Sequence, residues 1–272
     1  MRRFKGKLMA ALLLSTLCSV ALADQLADIK QRGVLVCGTL GTAEPFSFSN
    51  QSTREIQGYD VDFCQAVAKS LGVKLELKLI SVAARIPELQ QARVDILAAN
   101  LGWSPERAQQ IAFSDSYFMS PTKILVRKAS GYKTNSDLAG KRVSAIKGSS
   151  PEIALHKVVP TAVSITFQDP ASAFLALQQG KVEGLALNEL TSLKFQAQVA
   201  STSPVVNLEP AIQNEAWGLG MRKDETAFVK YVNATLEAME ASGEAAQIFD
   251  KWLGVKSPYK LQRGFKIEPI KG

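Results

Sequence analysis

Short apolar runs and helical stripes alternate along this chain, break off, and start again, and no other feature restricts its fold as severely. Val34–Cys37 is an apolar run closed by Gly38. Residues 60–71 carry Val61, Cys64, Val67, Ala68 and Leu71 on one helical face, with Gly72 as a stop. Residues 75–80 alternate as a strand does, 86–91 reads as a short helix, and 95–99 as the next strand. A β-α-β-α-β order implies parallel strands joined by crossover helices packed on the faces of a sheet. The pattern restarts with strands at 123–127 and 141–146, a helix at about 151–157, a strand at 163–167, a helix at 171–179 and a strand at 182–187. Two terminal helices, 226–242 and 244–252, are separated by Gly243. Two such α/β halves predict a cleft between lobes, with ligands beyond the carboxyl ends of the strands.

The N-terminus reads as a cleavable secretory signal over residues 1–23. Arg2, Arg3, Lys5 and Lys7 precede an apolar core at 8–17, and Ala21-Leu22-Ala23 supplies small residues for cleavage after Ala23. The alternative is an uncleaved N-terminal anchor; a lipid on Cys18 fits less well, because Leu17 stands where a small residue is expected. The signal places the mature chain outside the cytoplasm, in the periplasm. No later stretch reaches the roughly 20 apolar residues of a membrane helix. The formal charge is +7, from 32 basic and 25 acidic residues, and the signal holds four of the basic ones. The remaining 28 against 25 give +3, spread along the chain without the clustered Lys/Arg of a nucleic-acid site. His156 is the only histidine, and no His/Cys grouping has metal-ligand spacing, so neither a metal nor a cofactor is expected. Cys37 and Cys64 are free to pair in an oxidising compartment or to stay as buried thiols.

Several ordered motifs narrow the choice. They are Gly58-Tyr-Asp-Val-Asp62, the segment 95–107 ending in Ser104-Pro-Glu-Arg107, Phe113-Ser-Asp-Ser-Tyr-Phe118, Gly140-Lys-Arg-Val with Gly148-Ser-Ser150, 177–184, Gly218-Leu-Gly-Met-Arg-Lys223 and Lys251-Trp-Leu-Gly254. Together they resemble the extracellular solute-binding proteins of polar amino acid ABC importers, the periplasmic family 3 group, across essentially the whole mature chain. The resemblance implies a two-lobed (Venus flytrap, type II) α/β fold, each lobe a mainly parallel sheet flanked by helices. Lobe 1 would be 24–119 plus 215–272 and lobe 2 would be 120–214, with hinges near 119–122 and 213–217. It also implies a monomer that closes on a small solute and is then recognised by a membrane permease.

The same resemblance assigns the site. Arg107 would hold a ligand α-carboxylate, a bidentate contact that suits a planar guanidinium. Asn100 and Gly102 would help from a strand end, although Gly102 lacks the usual hydroxyl. Ser149 and Ser150 would present a helix N-terminus to the anion or simply cap it. Arg85 stands where acidic amino acid binders hold the side-chain carboxylate, so two arginines favour an acidic amino acid. Asn188 replaces the usual aspartate partner of the ligand ammonium, with Glu44 or Glu189 as compensating candidates. Ala43 and Val82 replace aromatic walls, and Leu40 and Pro170 replace basic or histidine side chains. Phe48 at the cleft mouth is a pocket candidate, and Trp103 divides between ligand contact and packing. The alternative is an enzyme on the same fold resembling the cyclohexadienyl dehydratases, which needs a buried carboxylic acid of raised pKa; Glu44 and Glu189 are its candidates. No catalytic residue is otherwise expected.

Overall fold

The computed structural model describes residues 24–271; the expected signal lies outside them. Asp24 accepts the Leu26 N–H and caps α1 (Gln25–Arg32), which ends at Gly33 with φ +72°. Strand β1 (Val34–Thr39) follows, then a small antiparallel sheet of β2 (Thr42–Ala43), β3 (Ser47–Ser49) and β4 (Ile56–Gln57). Helix α2 (Tyr59–Leu71) crosses to β5 (Lys74–Leu79), and α3 (Arg85–Gln90) leads to β6 (Ile96–Leu97). Both β5 and β6 pair with β1 in parallel, as the alternating pattern requires.

After α4 (Pro105–Ala108) comes β7 (Ala112–Arg127), a strand of 16 residues. Next are β8 (Arg142–Ile146), α5 (Ser150–Val158), β9 (Val163–Phe167), α6 (Pro170–Gln178), β10 (Gly184–Asn188), α7 (Glu189–Val199), β11 (Val205–Asn207), β12 (Gln213–Met221), α8 (Thr226–Ser242) and α9 (Glu244–Trp252). The order β5-β1-β6-β12-β7-β10-β8-β9, with β11 on β7, makes one mixed sheet running through two lobes. Its two ends are parallel, while β7 and β12 pair antiparallel between them. Residues 119–122, where the resemblance implies a hinge, lie inside β7. Proline is tolerated because only β12 flanks β7 there, Pro121 opposing Asn214 before β10 joins at Thr122.

The two ends have different cores. Around α2, α8 and α9 an aromatic cluster of Phe46, Tyr59, Phe63, Tyr117, Phe118 and Trp217 is packed edge-on and tilted. Beneath it Cys37 on β1 and Cys64 on α2, both fully buried, form a disulfide with Cα atoms 6.4 Å apart. Closing that loop is worth about 3.5 kcal/mol in a chain-entropy account. The other end is mainly aliphatic, with clusters built on Leu125, Leu177 and Leu185 and on Ile124, Val143 and Leu155.

Candidate functional site

A cleft with about 710 Å³ of empty space opens where strand ends from the two lobes meet. Leu40 follows β1, Ile80 and Val82 follow β5, and Asn100 follows β6. From the other side Ser149 follows β8, Gln168 follows β9, and Asn188 ends β10. All sit at carboxyl ends, where parallel strands leave loops free to bind.

Arg107 is fixed by its own helix start. Ser104 Oγ accepts the Arg107 N–H at 3.3 Å, capping α4, whose first residue is Pro105. The side chain is buried at 5% exposure and donates from Nη1 to Gly102 O and to Ser150 Oγ, both at 2.6 Å. Its Nη2 donates to Gly148 O at 3.0 Å. Gly148 and Ser150 lie beyond the cleft, so this arginine ties its two sides together. Burial lowers the guanidinium pKa, opposed by Glu215 and Glu106.

Glu215 is the site residue that the motifs did not announce. It enters from β12, is 4% exposed, and lines the cleft. Oε1 accepts the Trp217 indole N–H at 3.0 Å, while Oε2 has no well-aligned partner. Burial raises the carboxyl pKa; the nearby Ser150 hydroxyl, Trp217 and the charges of Arg107 and Arg85 pull it back. A methyl group built on Gly102 would overlap Oε2 and come within 2.5 Å of Cδ and 2.6 Å of Ser150 Oγ. Gly102 thus makes room for Glu215, which explains the missing hydroxyl side chain. The signal for Glu215 was faint: an acid two residues before Trp217, in a segment that reads as a loop.

Arg85 is brought to the same end but faces backbone. Its Nε donates to Val82 O at 2.9 Å, and Nη1 to Ala99 O and Asn100 O, both at 2.8 Å. Nη2 reaches Gly148 O across the cleft at 3.3 Å. One N–H is left over, too few for a two-pronged grip on a ligand carboxylate. Burial, then the neighbouring Arg107, lower the Arg85 pKa to about 9. Behind it the fully buried Asp60 accepts Tyr117 OH at 2.7 Å and the Asn100 N–H at 3.0 Å. Burial still raises Asp60 to a pKa of about 6. Asn100 has φ +50°, and its buried Oδ1 is unpartnered.

The rest of the cleft lining is neutral. Ser149 and Asn188 both line it, but each side-chain oxygen caps a helix, accepting from Glu152 N at 3.2 Å and Thr191 N at 2.9 Å. Leu40, Ala43, Val82 and Pro170 form apolar walls there, as their side chains require. Glu44 and Glu189 are engaged elsewhere, Glu44 with Lys194 across the cleft mouth and Glu189 with Lys123 at 2.9 Å. Four expected residues are not among those lining the cleft: Arg107 and Gly102 sit behind Ser150 and Glu215, and Phe48 and Trp103 lie away from it. Phe48 on β3 packs edge-on against Trp252 at 5.7 Å, while Phe46, just before the strand, is fully buried in the aromatic cluster. Trp103 lies beside Pro269 and Ile270 of the C-terminal segment, its N–H bonded to Ala216 O at 2.9 Å. Among the described residues no cluster of three His, Cys, Asp or Glu could hold a metal, and no helix is long and apolar enough to cross a membrane.

Comparison with known proteins agrees with this architecture. The chain is 30% identical over 234 residues to a glutamine-binding protein of a Bacillus subtilis ABC transporter, covering 85% of each. It is 29% identical over 250 residues to the L-cystine-binding protein of Escherichia coli K12, covering 90% of this chain and 93% of that one. A crystal structure of an ancestral amino acid-binding protein, described as a precursor of cyclohexadienyl dehydratase, superposes with a TM-score of 0.76 at 30% identity, covering 84% of this chain and 99% of that one. Residues 35–255 match the pattern of bacterial extracellular solute-binding proteins, family 3. With the two-lobed fold and the cleft described, this chain belongs to that family.

Proposed function

We propose that the protein is the extracytoplasmic solute-binding component of an ABC importer, acting in the periplasm as a monomer and handing its cargo to a membrane permease. In this reading lobe 2, residues 120–214, closes on lobe 1, residues 24–119 and 215–272, about hinges near 119–122 and 213–217 in the paired strands β7 and β12. The observation that carries it is the pair of buried arginines. Arg85 and Arg107 both reach Gly148 O across the cleft, so groups of the two lobes meet where a solute would be enclosed. Such contacts let binding bias a hinge between open and closed forms. An acidic amino acid, the ligand expected from paired arginines, loses its support because Arg85 is committed to carbonyl oxygens. The cargo class is then a small polar solute. A thermal-shift screen of the purified protein across amino acids, dicarboxylates and amines should reveal a ligand that raises the melting temperature. A uniformly flat screen at millimolar concentrations would refute this role.

One observation favours a second reading. Glu215 is a buried carboxyl of raised pKa beside the cleft, the kind of group a dehydratase needs as a general acid. Its Oε1 is already held by the Trp217 indole and Arg107 lies close by, which suits a fixed carboxylate better than a proton donor. Turnover of prephenate by purified protein, abolished in Glu215→Gln, would establish the enzymatic reading.

A further inference from the structure

The charged end of the cleft is built to hold a carboxylate. It offers a buried guanidinium, a hydroxyl on the first residue of the nine-residue helix α5, and the dipole of that helix. In this chain the place is taken: the Glu215 carboxyl abuts both Gly102 and Ser150, and only a glycine at 102 leaves it room. The charges are also balanced from within, Glu215 acting on Arg107 and Asp60 on Arg85. A ligand carboxylate arriving here would face the like charge of Glu215, a costly arrangement in a buried site.

This end also presents poorly served acceptors. Asn100 Oδ1 is buried without a partner, Glu215 Oε2 has only the poorly aligned Ser150 hydroxyl beside it, and both residues line the cleft. Unpaired buried acceptors are destabilising until a donor arrives, and a carboxylate gains most from a charged one. Elsewhere in the lining Asn188 brings no charge, and its Oδ1 is spent on Thr191. We propose that Glu215 is a built-in occupant of the carboxylate place, and that the cleft selects a small organic amine bearing no carboxylate, its nitrogen donating to Glu215 and Asn100. The walls of Leu40, Ala43, Val82 and Pro170 receive its carbon skeleton. The proposal rests on the solute-binding reading and narrows it.

The test compares ligands that differ only by the carboxylate: leucine with 3-methylbutylamine, glutamine with 4-aminobutanamide, and arginine with agmatine. Melting temperature and calorimetric affinity are recorded for the wild type, Glu215→Ala and Glu215→Gln. The wild type should bind at least one amine about tenfold or more tightly than its amino acid partner. Glu215→Ala empties the carboxylate place and should reverse that preference. Glu215→Gln keeps the place filled, so it should stay silent to the amino acids while amine affinity falls about tenfold with the lost charge. If alanine prevents folding, the glutamine variant and the wild-type pairs decide alone. Wild-type binding of an amino acid in preference to its amine, unimproved or weakened by the substitutions, overturns the amine proposal but leaves solute binding standing. Silence of all three proteins to every ligand overturns the amine proposal and counts against the solute-binding reading as well.

Discussion

On one side of the cleft the guanidinium groups of Arg85 and Arg107 are bonded to carbonyl oxygens and to Ser150, with the carboxyls of Glu215 and Asp60 acting on them as charges; elsewhere in the lining, serine, asparagine and threonine sit among aliphatic walls. The first side has spent most of its guanidinium donors, because Arg85 and Arg107 between them serve Val82, Ala99, Asn100, Gly102, Gly148 and Ser150. The remaining lining carries no charge, and the side-chain oxygens of Ser149 and Asn188 are helix caps that would exist without any ligand. The lesson is that a charged residue lining a cleft is not by itself a ligand contact. What counts is the hydrogen-bonding capacity left after the protein's own groups are served.

That contrast can be broken most directly at Arg107. Arg107→Ala leaves Gly102 O, Gly148 O and Ser150 Oγ without their donor and removes a charge that acts on the buried Glu215, and should cost about 3–5 kcal/mol in urea unfolding, as leaving a buried charge uncompensated does. Adding Glu215→Gln should recover part of the loss; strict additivity would show that the two residues do not act together. Gly102→Ala comes next. Overpacking against Glu215 should cost about 1–3 kcal/mol, and Glu215→Ala in the same chain should relieve it. A neutral result at Gly102 would mean that Glu215 moves aside easily.

A smaller effect is expected from Asp60, whose pKa is raised by burial from 3.8 to about 6. An acid with a higher pKa folded than unfolded binds more protons folded, so its contribution to stability falls as pH climbs between those two values. The loss is complete above pH 6 and amounts to no more than about 3 kcal/mol. Melting curves from pH 4 to 7 should show this decline, and Asp60→Asn should flatten it. The smallest effect belongs to the neutral lining. Asn188→Asp keeps an oxygen able to cap α7 and should shift stability by no more than about 0.5 kcal/mol. A large change there would show that the uncharged lining is as tightly tuned as the charged side.

Much of the fold was legible in the chain. The parallel units at both ends of the sheet follow from period-2 and helical patterning, and the observed β1, β5, β8 and β9 fall within a residue or two of the expected runs. Helix α1 was not expected, nor was the small sheet of β2 to β4; these are short elements. The central pair β7 and β12 was only partly visible, since a proline and scattered polar residues disguise strands that cross between lobes. In the site, motif order pointed to the loops of Arg107, Ser150 and Asn100. It did not foresee the surroundings of Phe48 and Trp103, which pack against Trp252 and the returning C-terminal segment.

The sequence by itself determined the fold class and the family, because hydrophobic periodicity and ordered motifs are local properties of the chain. Only the tertiary structure decided what the site can still bind. Glu215 reaches the cleft from a strand more than a hundred residues beyond Gly102 and Arg107, and its position depends on the absence of a single Cβ at Gly102. Whether a buried polar group is satisfied is a matter of three-dimensional neighbours within about 3 Å. No pattern along the chain encodes that, and it separates a cleft waiting for a carboxylate from one that already contains its own.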